Sequence, residues 1–309
     1  MRVERLALAL SLCLGATSCA RRAPDVWVGT QTCVVLSVGG LDGVAHAGAL
    51  EAVREAGLEV DCVVGNSMGS LVGGLYAADP SASPRQRLRD LLAHYREATE
   101  RVVRRRALGV GALTFVVGLL SGGIGAGLLA GGAGVYVGAR STTRLDWDRM
   151  VEVYDEEVGG ASIERLPRAF ATFHQAVIEG GGVRRVTVTE GPLSLAVGRS
   201  IANPLIFEDV NLRERGILDP GADRVSATPV EDACEVFPGA RLLAINVTAE
   251  PAYYRADIGC AVKEVRVDVP AYDAEEVAAL GDDFEAVADA GYRATCAVLG
   301  CEAVPVRVR

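Results

Sequence analysis

The hydrophobic positions of this chain follow two rhythms. Thr32-Cys-Val-Val-Leu-Ser-Val38 is an apolar run of strand length, and Cys62-Val-Val64 is a shorter one. Each breaks at glycines and resumes at helical spacing, through Ala49, Leu50 and Val53 after the first and Leu71, Leu75 and Tyr76 after the second. A short apolar run bounded by glycine predicts a buried strand, and the spacing after it predicts a helix packed alongside. The pattern is strand, turn, helix, twice in succession.

Farther on, residues 84–106 predict a charged helix ending in Arg101-Val-Val-Arg-Arg-Arg106. Leu145 to Val158 predicts an amphipathic helix with Trp147, Met150, Val151 and Tyr154 toward the core. Arg168 to Val177 and Val183 to Thr189 alternate as two strands around a turn at Glu179-Gly-Gly-Gly182. His174 falls in that hairpin and is expected to face outward or to cap a packing edge. A helix then leads to a turn at Asn203-Pro204, and a strand from Arg215 runs into Asp219-Pro220-Gly221, which is good turn chemistry in its own right. Val230 to Val236 predicts a short helix, Arg241 to Val247 a strand, Val262 to Val269 an edge strand, and Ala274 to Leu299 one closing amphipathic helix with an acidic outer face.

Two stretches stand apart from this alternation. Arg2 and Arg5 flank the start of a short apolar run, Leu6 to Gly15, the layout of a secretory signal and too short for a mature membrane span. Its end, Ala16-Thr-Ser-Cys19, resembles a bacterial lipobox, so residues 1–19 are expected to be a lipoprotein-type signal with Cys19 as the lipidated residue and 20–30 as a tether. Ordinary cleavage nearby, with Cys19 discarded or free, is the alternative. The expected location is the cell envelope, at the outer membrane if the cell is Gram-negative. The second stretch, Ala107 to Ala139, has no charged residue and is crowded with glycine. It reads as an interfacial hairpin broken at Ser121-Gly-Gly123, as a lid, or as a buried glycine-rich segment.

Composition narrows the function classes. The chain has 309 residues, half of them hydrophobic, enough for a full core. Residues 31–270 read as one domain with the 107–139 insertion, and 271–309 as a helix and tail packing on it. A net charge of −9 argues against a nucleic-acid partner, which needs clustered basic surface. Three histidines with no His-x-x-x-His pair, and no Cys-x-x-Cys, point away from a metal, and no cofactor is expected. Beyond the signal six cysteines remain, an even number that permits disulfides in an oxidising compartment. Cys33 and Cys62, set in apolar runs, also read as buried thiols.

The chemistry sits at the two glycine turns. Gly65-Asn-Ser-Met-Gly69 is a G-x-S-x-G turn between strand and helix. Its glycines, Gly65 and Gly69, let backbone pass close by while Ser67 is pushed out at a helix N-terminus. Gly39-Gly-Leu-Asp-Gly43 opens the first helix and offers backbone N–H groups to an anion. The G-x-G-x-x-G spacing of a dinucleotide site is absent, and so is the Gly-Lys-Ser/Thr of a P-loop. Two such turns aimed at one spot meet the requirement for acyl transfer, a nucleophile facing an oxyanion hole.

Val38-Gly-Gly-Leu-Asp-Gly-Val-Ala-His-Ala-Gly-Ala-Leu50, followed by Gly65-Asn-Ser-Met-Gly-Ser-Leu-Val-Gly-Gly-Leu-Tyr-Ala77, resembles the patatin-like phospholipases, whose pattern is a G-G-G-x-[Arg/Lys]-G loop, a His-x-Gly and then G-x-S-x-G. Ser200 and Ala202 leading to Pro204 and Phe207, and Ile217-Leu-Asp-Pro-Gly-Ala222 at the place of the family's Asp-Gly-Gly/Ala, extend the resemblance over about Gln31 to Thr248. It implies a three-layer α/β/α fold with a mostly parallel central sheet. It also implies a lipid acyl-ester hydrolase of the phospholipase A or lysophospholipase kind, acting on membrane lipids at a membrane surface. Ser67 would be the nucleophile, Asp219 its base, and Gly39 and Gly40 the oxyanion hole. His46, in the first helix, is expected to pack near the loop, with a general-base role as the alternative. Three positions depart from the pattern: Val38 for the first glycine, Asp42 for the basic residue and Pro220 for a glycine. A carboxylate aimed at an oxyanion hole would weaken it. These departures support a rival reading, a non-catalytic lipid- or partner-binding lipoprotein on a degenerate scaffold of the same fold.

Overall fold

The computed structural model describes residues 29, 31–99, 145–178, 182–204, 206–207, 216–220 and 227–301. The expected signal and most of the tether, as well as the 107–139 insertion, lie outside the described residues. The two apolar runs form β1 (Thr32–Leu36) and β2 (Cys62–Gly65), parallel neighbours in register from Cys33 opposite Cys62 to Leu36 opposite Gly65. After β1 a 3-10 turn, Gly40–Val44, leads into α1 (Ala45–Glu55), and after β2 comes α2 (Met68–Ala78). Helix α3 covers 84–99, and α4 is Trp147–Glu157, whose N-terminus is capped by the Asp146 carboxylate accepting from the Arg149 amide.

The hairpin strands are β3 (Ala169–Val177) and β4 (Val183–Val188), antiparallel to each other, with β3 parallel to β2. Then follow α5 (Leu193–Ser200), the two-residue β5 (Ile217–Leu218), α6 (Val230–Val236), β6 (Arg241–Asn246) and β7 (Ala261–Arg266). Among the described residues these make one seven-stranded sheet, ordered β4-β3-β2-β1-β6-β7 with β5 on β3. Its central pairings, β3-β2-β1-β6-β7, are all parallel. The expected mostly parallel α/β architecture is what the chain adopts.

Alternation along the strands divides the core in two. Val34, Leu36, Val63, Phe170, Leu243 and Ile245 face one side with residues of α1, α2, α4 and α5. Cys33, Val35, Cys62, Val64, Phe173 and Leu242 face the other, under Val230, Ala233 and Cys234 of α6. The closing segment is two helices where one was expected. α7 (Ala274–Ala278) and α8 (Asp282–Leu299) are separated by Leu280, which takes a positive φ of 62°, and Gly281. Helical phase cannot run through a left-handed residue. α8 lies directly on α1, where a Cβ at Gly48 or Gly291 would collide with the carbonyl of Ala288 or Ala45 across the contact.

Cysteine pairing also differs from the thiol reading. Cys33–Cys62, Cys234–Cys260 and Cys296–Cys301 are disulfides. The first joins the two strands that carry the glycine turns, because parallel register sets those two residues side by side.

Candidate active site

Both glycine turns emerge at the C-terminal edge of adjacent parallel strands, the edge where open α/β sheets place their ligand crevices. Ser67 sits between β2 and α2 with φ 50° and ψ −125°, a backbone that a non-glycine residue holds only when its surroundings fix it. The fixing contacts are visible. The Ser67 amide donates to Ser200 Oγ at 3.0 Å, and its carbonyl accepts from the Ser70 and Leu71 amides and the Ser70 hydroxyl. Thr172 on β3 donates its hydroxyl to the Gly65 carbonyl at 2.9 Å. A Cβ at Gly69 would come within 2.5 Å of the Ser37 carbonyl oxygen, and one at Gly65 would strike the Gly69 carbonyl. Any larger residue at either position breaks the turn.

The Ser67 hydroxyl donates to Asp219 Oδ2 at 2.6 Å, across a sequence separation of 152. Both residues are buried, at 8% and 6% exposure. Asp219 follows β5, which pairs antiparallel with β3 at Gln175 and Ala176, and its amide donates to the Ala202 carbonyl at 3.1 Å. Pro220 leaves that arrangement in place. Helix α5 therefore ends between the two partners, with Ser200 on the serine and Ala202 on the aspartate. Ser200 had no individual role in the sequence reading. Its signal was its place at the end of a helix just before the Asn203-Pro204 turn.

The glycine loop lies beside Ser67. Gly39 is extended, at φ 178°, and Gly40 at φ 52° opens the 3-10 turn onto free space. Among the described residues no acceptor takes the Gly39 or Gly40 amide hydrogen, as expected of the first N–H groups of a helical turn. Gly43 packs on Met68, which binds the loop to the serine turn. Asp42 is half-buried, and its Oδ1 accepts from the Tyr272 hydroxyl at 2.7 Å. Beside it an open cleft of about 450 Å³ is lined by Asp42, Val247, Arg266 and Asp268 among others.

The histidines are placed elsewhere. His46 is fully buried, with Nε2 2.9 Å from the Ser37 carbonyl, and burial lowers its pKa to about 4, so it stays neutral and donates to that carbonyl. His174 was expected at an outer edge but is buried, at 5% exposure. Desolvation, with Arg199 nearby, lowers its pKa to about 4 as well. The position in β3 that turns it inward is set by alternation with Phe173, its neighbour on the opposite face. Among the described residues no cluster of three or more His, Cys, Asp or Glu side chains is placed to hold a metal ion.

The site thus brings together a serine at a strand-to-helix elbow, a buried aspartate that accepts its hydroxyl hydrogen, and a glycine loop. The family model for patatin-like phospholipases matches residues 34–233, and the chain belongs to that family. An uncharacterised NTE family protein of Mycobacterium tuberculosis is 30% identical over 196 residues, covering 62% of this chain and 44% of that protein. Patatin-like phospholipase domain-containing protein 6 of Homo sapiens is 46% identical over 70 residues, 22% of this chain and 5% of that protein. The chain thus spans under half the length of these curated relatives. Among solved structures, VipD from Legionella pneumophila covers 87% of this chain and 67% of its own at 13% identity and a TM-score of 0.37.

Proposed function

We propose that the protein hydrolyses acyl esters of membrane lipids, in the manner of a phospholipase A or lysophospholipase, with Ser67 as nucleophile and Asp219 as its base. The observation that carries this reading is the 2.6 Å hydrogen bond from the Ser67 hydroxyl to Asp219 at a strained elbow. Asp219 takes the hydroxyl proton as Oγ attacks the ester carbonyl carbon. The oxyanion so formed meets the amides of Gly39 and Gly40. Collapse expels the alcohol, which takes the proton from Asp219 and leaves an acyl-Ser67 ester. Water then attacks that ester, gives its proton to Asp219, and the fatty acid departs as Ser67 recovers its hydrogen. The steps use neither His46 nor His174: His46 Nε2 is committed to the Ser37 carbonyl, and the Ser67 hydroxyl donates directly to Asp219.

A fluorophosphonate probe tests the nucleophile. Labelling of the natural protein and none of Ser67→Ala is expected, together with release of fatty acid from phospholipid or lysophospholipid micelles. A folded protein that neither labels nor releases fatty acid would favour the rival lipid- or partner-binding reading, for which Asp42 in place of a basic residue is the supporting observation. Export to an oxidising compartment fits the same picture, since three disulfides persist where thiols are not kept reduced. Mass spectrometry of the mature N-terminus, read for a diacylglyceryl-modified Cys19, tests the anchor.

A further inference from the structure

We infer that Tyr272 is a positioning residue for the oxyanion loop, acting through Asp42; this rests on the hydrolase reading above. Amide donors serve an oxyanion only if they are already aimed at the place where its charge develops. Gly40 is poorly suited to hold such an aim by itself. It has a left-handed φ of 52°, no side chain and open space around it. What holds the turn must come from its neighbours. Gly39 abuts the Val247 side chain, Val38 donates its amide to the Ala227 carbonyl, and Gly43 packs on Met68. The one side-chain hydrogen bond from the Gly40–Val44 turn to another part of the chain, among the described residues, is the 2.7 Å contact of Asp42 with Tyr272.

Tyr272 is itself well anchored. The next residue, Asp273, immediately precedes α7: its carbonyl accepts from the Val277 amide, and its own amide donates to the Asp283 carboxylate at the start of α8. Val277 is fully buried, and α8 lies on α1 by the glycine contacts described above. The phenol therefore ties the glycine loop to the segment that leads into α8, which packs on α1. It keeps its proton throughout the working range, because desolvation and the hydrogen bond to Asp42 push its pKa up to about 12. Tyr272 lies beyond residue 233, where the family match ends, and Asp42 gives the glycine loop an acceptor for a hydroxyl supplied by the C-terminal segment. Asp42 directs its Oδ1 at that donor.

The test compares Tyr272→Phe, Asp42→Ala and Asp42→Asn in the full chain. With p-nitrophenyl butyrate, a substrate without a head group, Tyr272→Phe and Asp42→Ala should each lower kcat about tenfold while KM stays within about twofold. Asp42→Asn keeps an acceptor oxygen for the phenol and should retain most of the activity. Amide hydrogen exchange gives a readout that does not require turnover. Peptides covering 38–44 should exchange about tenfold faster in Tyr272→Phe, with α1 and α8 unchanged. Unchanged exchange over 38–44, a loss carried by KM, or Asp42→Asn as impaired as Asp42→Ala would overturn the inference. If the natural chain labels with no fluorophosphonate, the hydrolase reading fails by itself, and exchange still decides whether the tether exists.

Discussion

The two partners of the proposed dyad are built in opposite ways. Ser67 stands in a turn shaped mainly by its own segment: its carbonyl is held by the first turn of α2 and β2 runs straight into it, while Ser200 and Thr172 add bonds from α5 and β3. Asp219 follows a strand of two residues that pairs with β3, and its amide donates a hydrogen bond to the Ala202 carbonyl. The first is set by contiguous strand, glycines and helix and reinforced by two distant hydroxyls, the second by long-range contacts alone. A locally determined turn tolerates no change in its own residues, whereas a remotely held residue depends on elements far away in the chain. The proposed chemistry needs both, with the serine as the strained nucleophile and the aspartate as a correctly aimed acceptor.

The difference is best probed by changes that separate chemistry from architecture. Asp219→Asn removes the carboxylate's charge and basicity at nearly unchanged volume, so the fold should survive while kcat falls by about a thousandfold or more, on the order of 4 kcal/mol. Circular dichroism and turnover on the same sample check it; near-normal turnover would move the base elsewhere. Gly69→Ala should do the reverse. Its Cβ would come within 2.6 Å of the Leu36 carbonyl oxygen as well as close to Ser37, both backbone atoms that cannot step aside. A loss of roughly 3 kcal/mol in urea unfolding, or failure to accumulate as folded protein, is expected from such overpacking.

Acid should loosen both sides together, because each has a buried neutral histidine: His46 under the glycine loop and His174 on β3 beside β5. Their folded pKa values, about 4, lie below the ordinary 6.5. The unfolded chain therefore binds more protons between those values. Stability is fully present above pH 6.5 and is lost as the pH falls toward 4, by up to about 3 kcal/mol for the fully buried His46 and by less for His174. Urea midpoints measured from pH 7.5 to 4.5 should fall less steeply in His46→Gln than in the natural chain. Equal slopes would mean that His46 does not titrate with folding.

How much could be read from residues alone follows the same division. The Ser67 turn was legible because strand, glycines and helix are contiguous, so one local pattern carries the geometry. The sheet was legible for a like reason, through apolar runs of strand length at Thr32 and Cys62. Asp219 was legible only by family likeness, since Asp-Pro-Gly on its own is ordinary turn chemistry. Partnerships across long separations were not legible at all. No pattern near Asp42 names Tyr272, 230 residues away, and none pairs Cys33 with Cys62 until register is known. The break at Leu280 escaped because the residues on both sides keep helical spacing, and helical periodicity says nothing about one left-handed residue.

Ser200 offers the finest test of the comparison, because α5 ends between the two partners. Its hydroxyl oxygen accepts the Ser67 amide hydrogen at 3.0 Å, and two residues later the Ala202 carbonyl takes the Asp219 amide. Ser200→Ala removes the first of these and leaves the second, since Ala202 acts through backbone. The Ser67 amide would then be a buried donor without an acceptor, at a cost of about 1–2 kcal/mol. That cost falls on a turn already strained at φ 50°, so part of it should appear as a wider distribution of Ser67 positions. The expected outcome is a fall in kcat of about tenfold with a small drop in unfolding midpoint. Ser200→Thr should recover most of the rate, because it keeps an oxygen at the same place. Normal kcat in Ser200→Ala would mean that α2 and the flanking glycines hold the serine without help from α5, and that local packing alone sets the elbow.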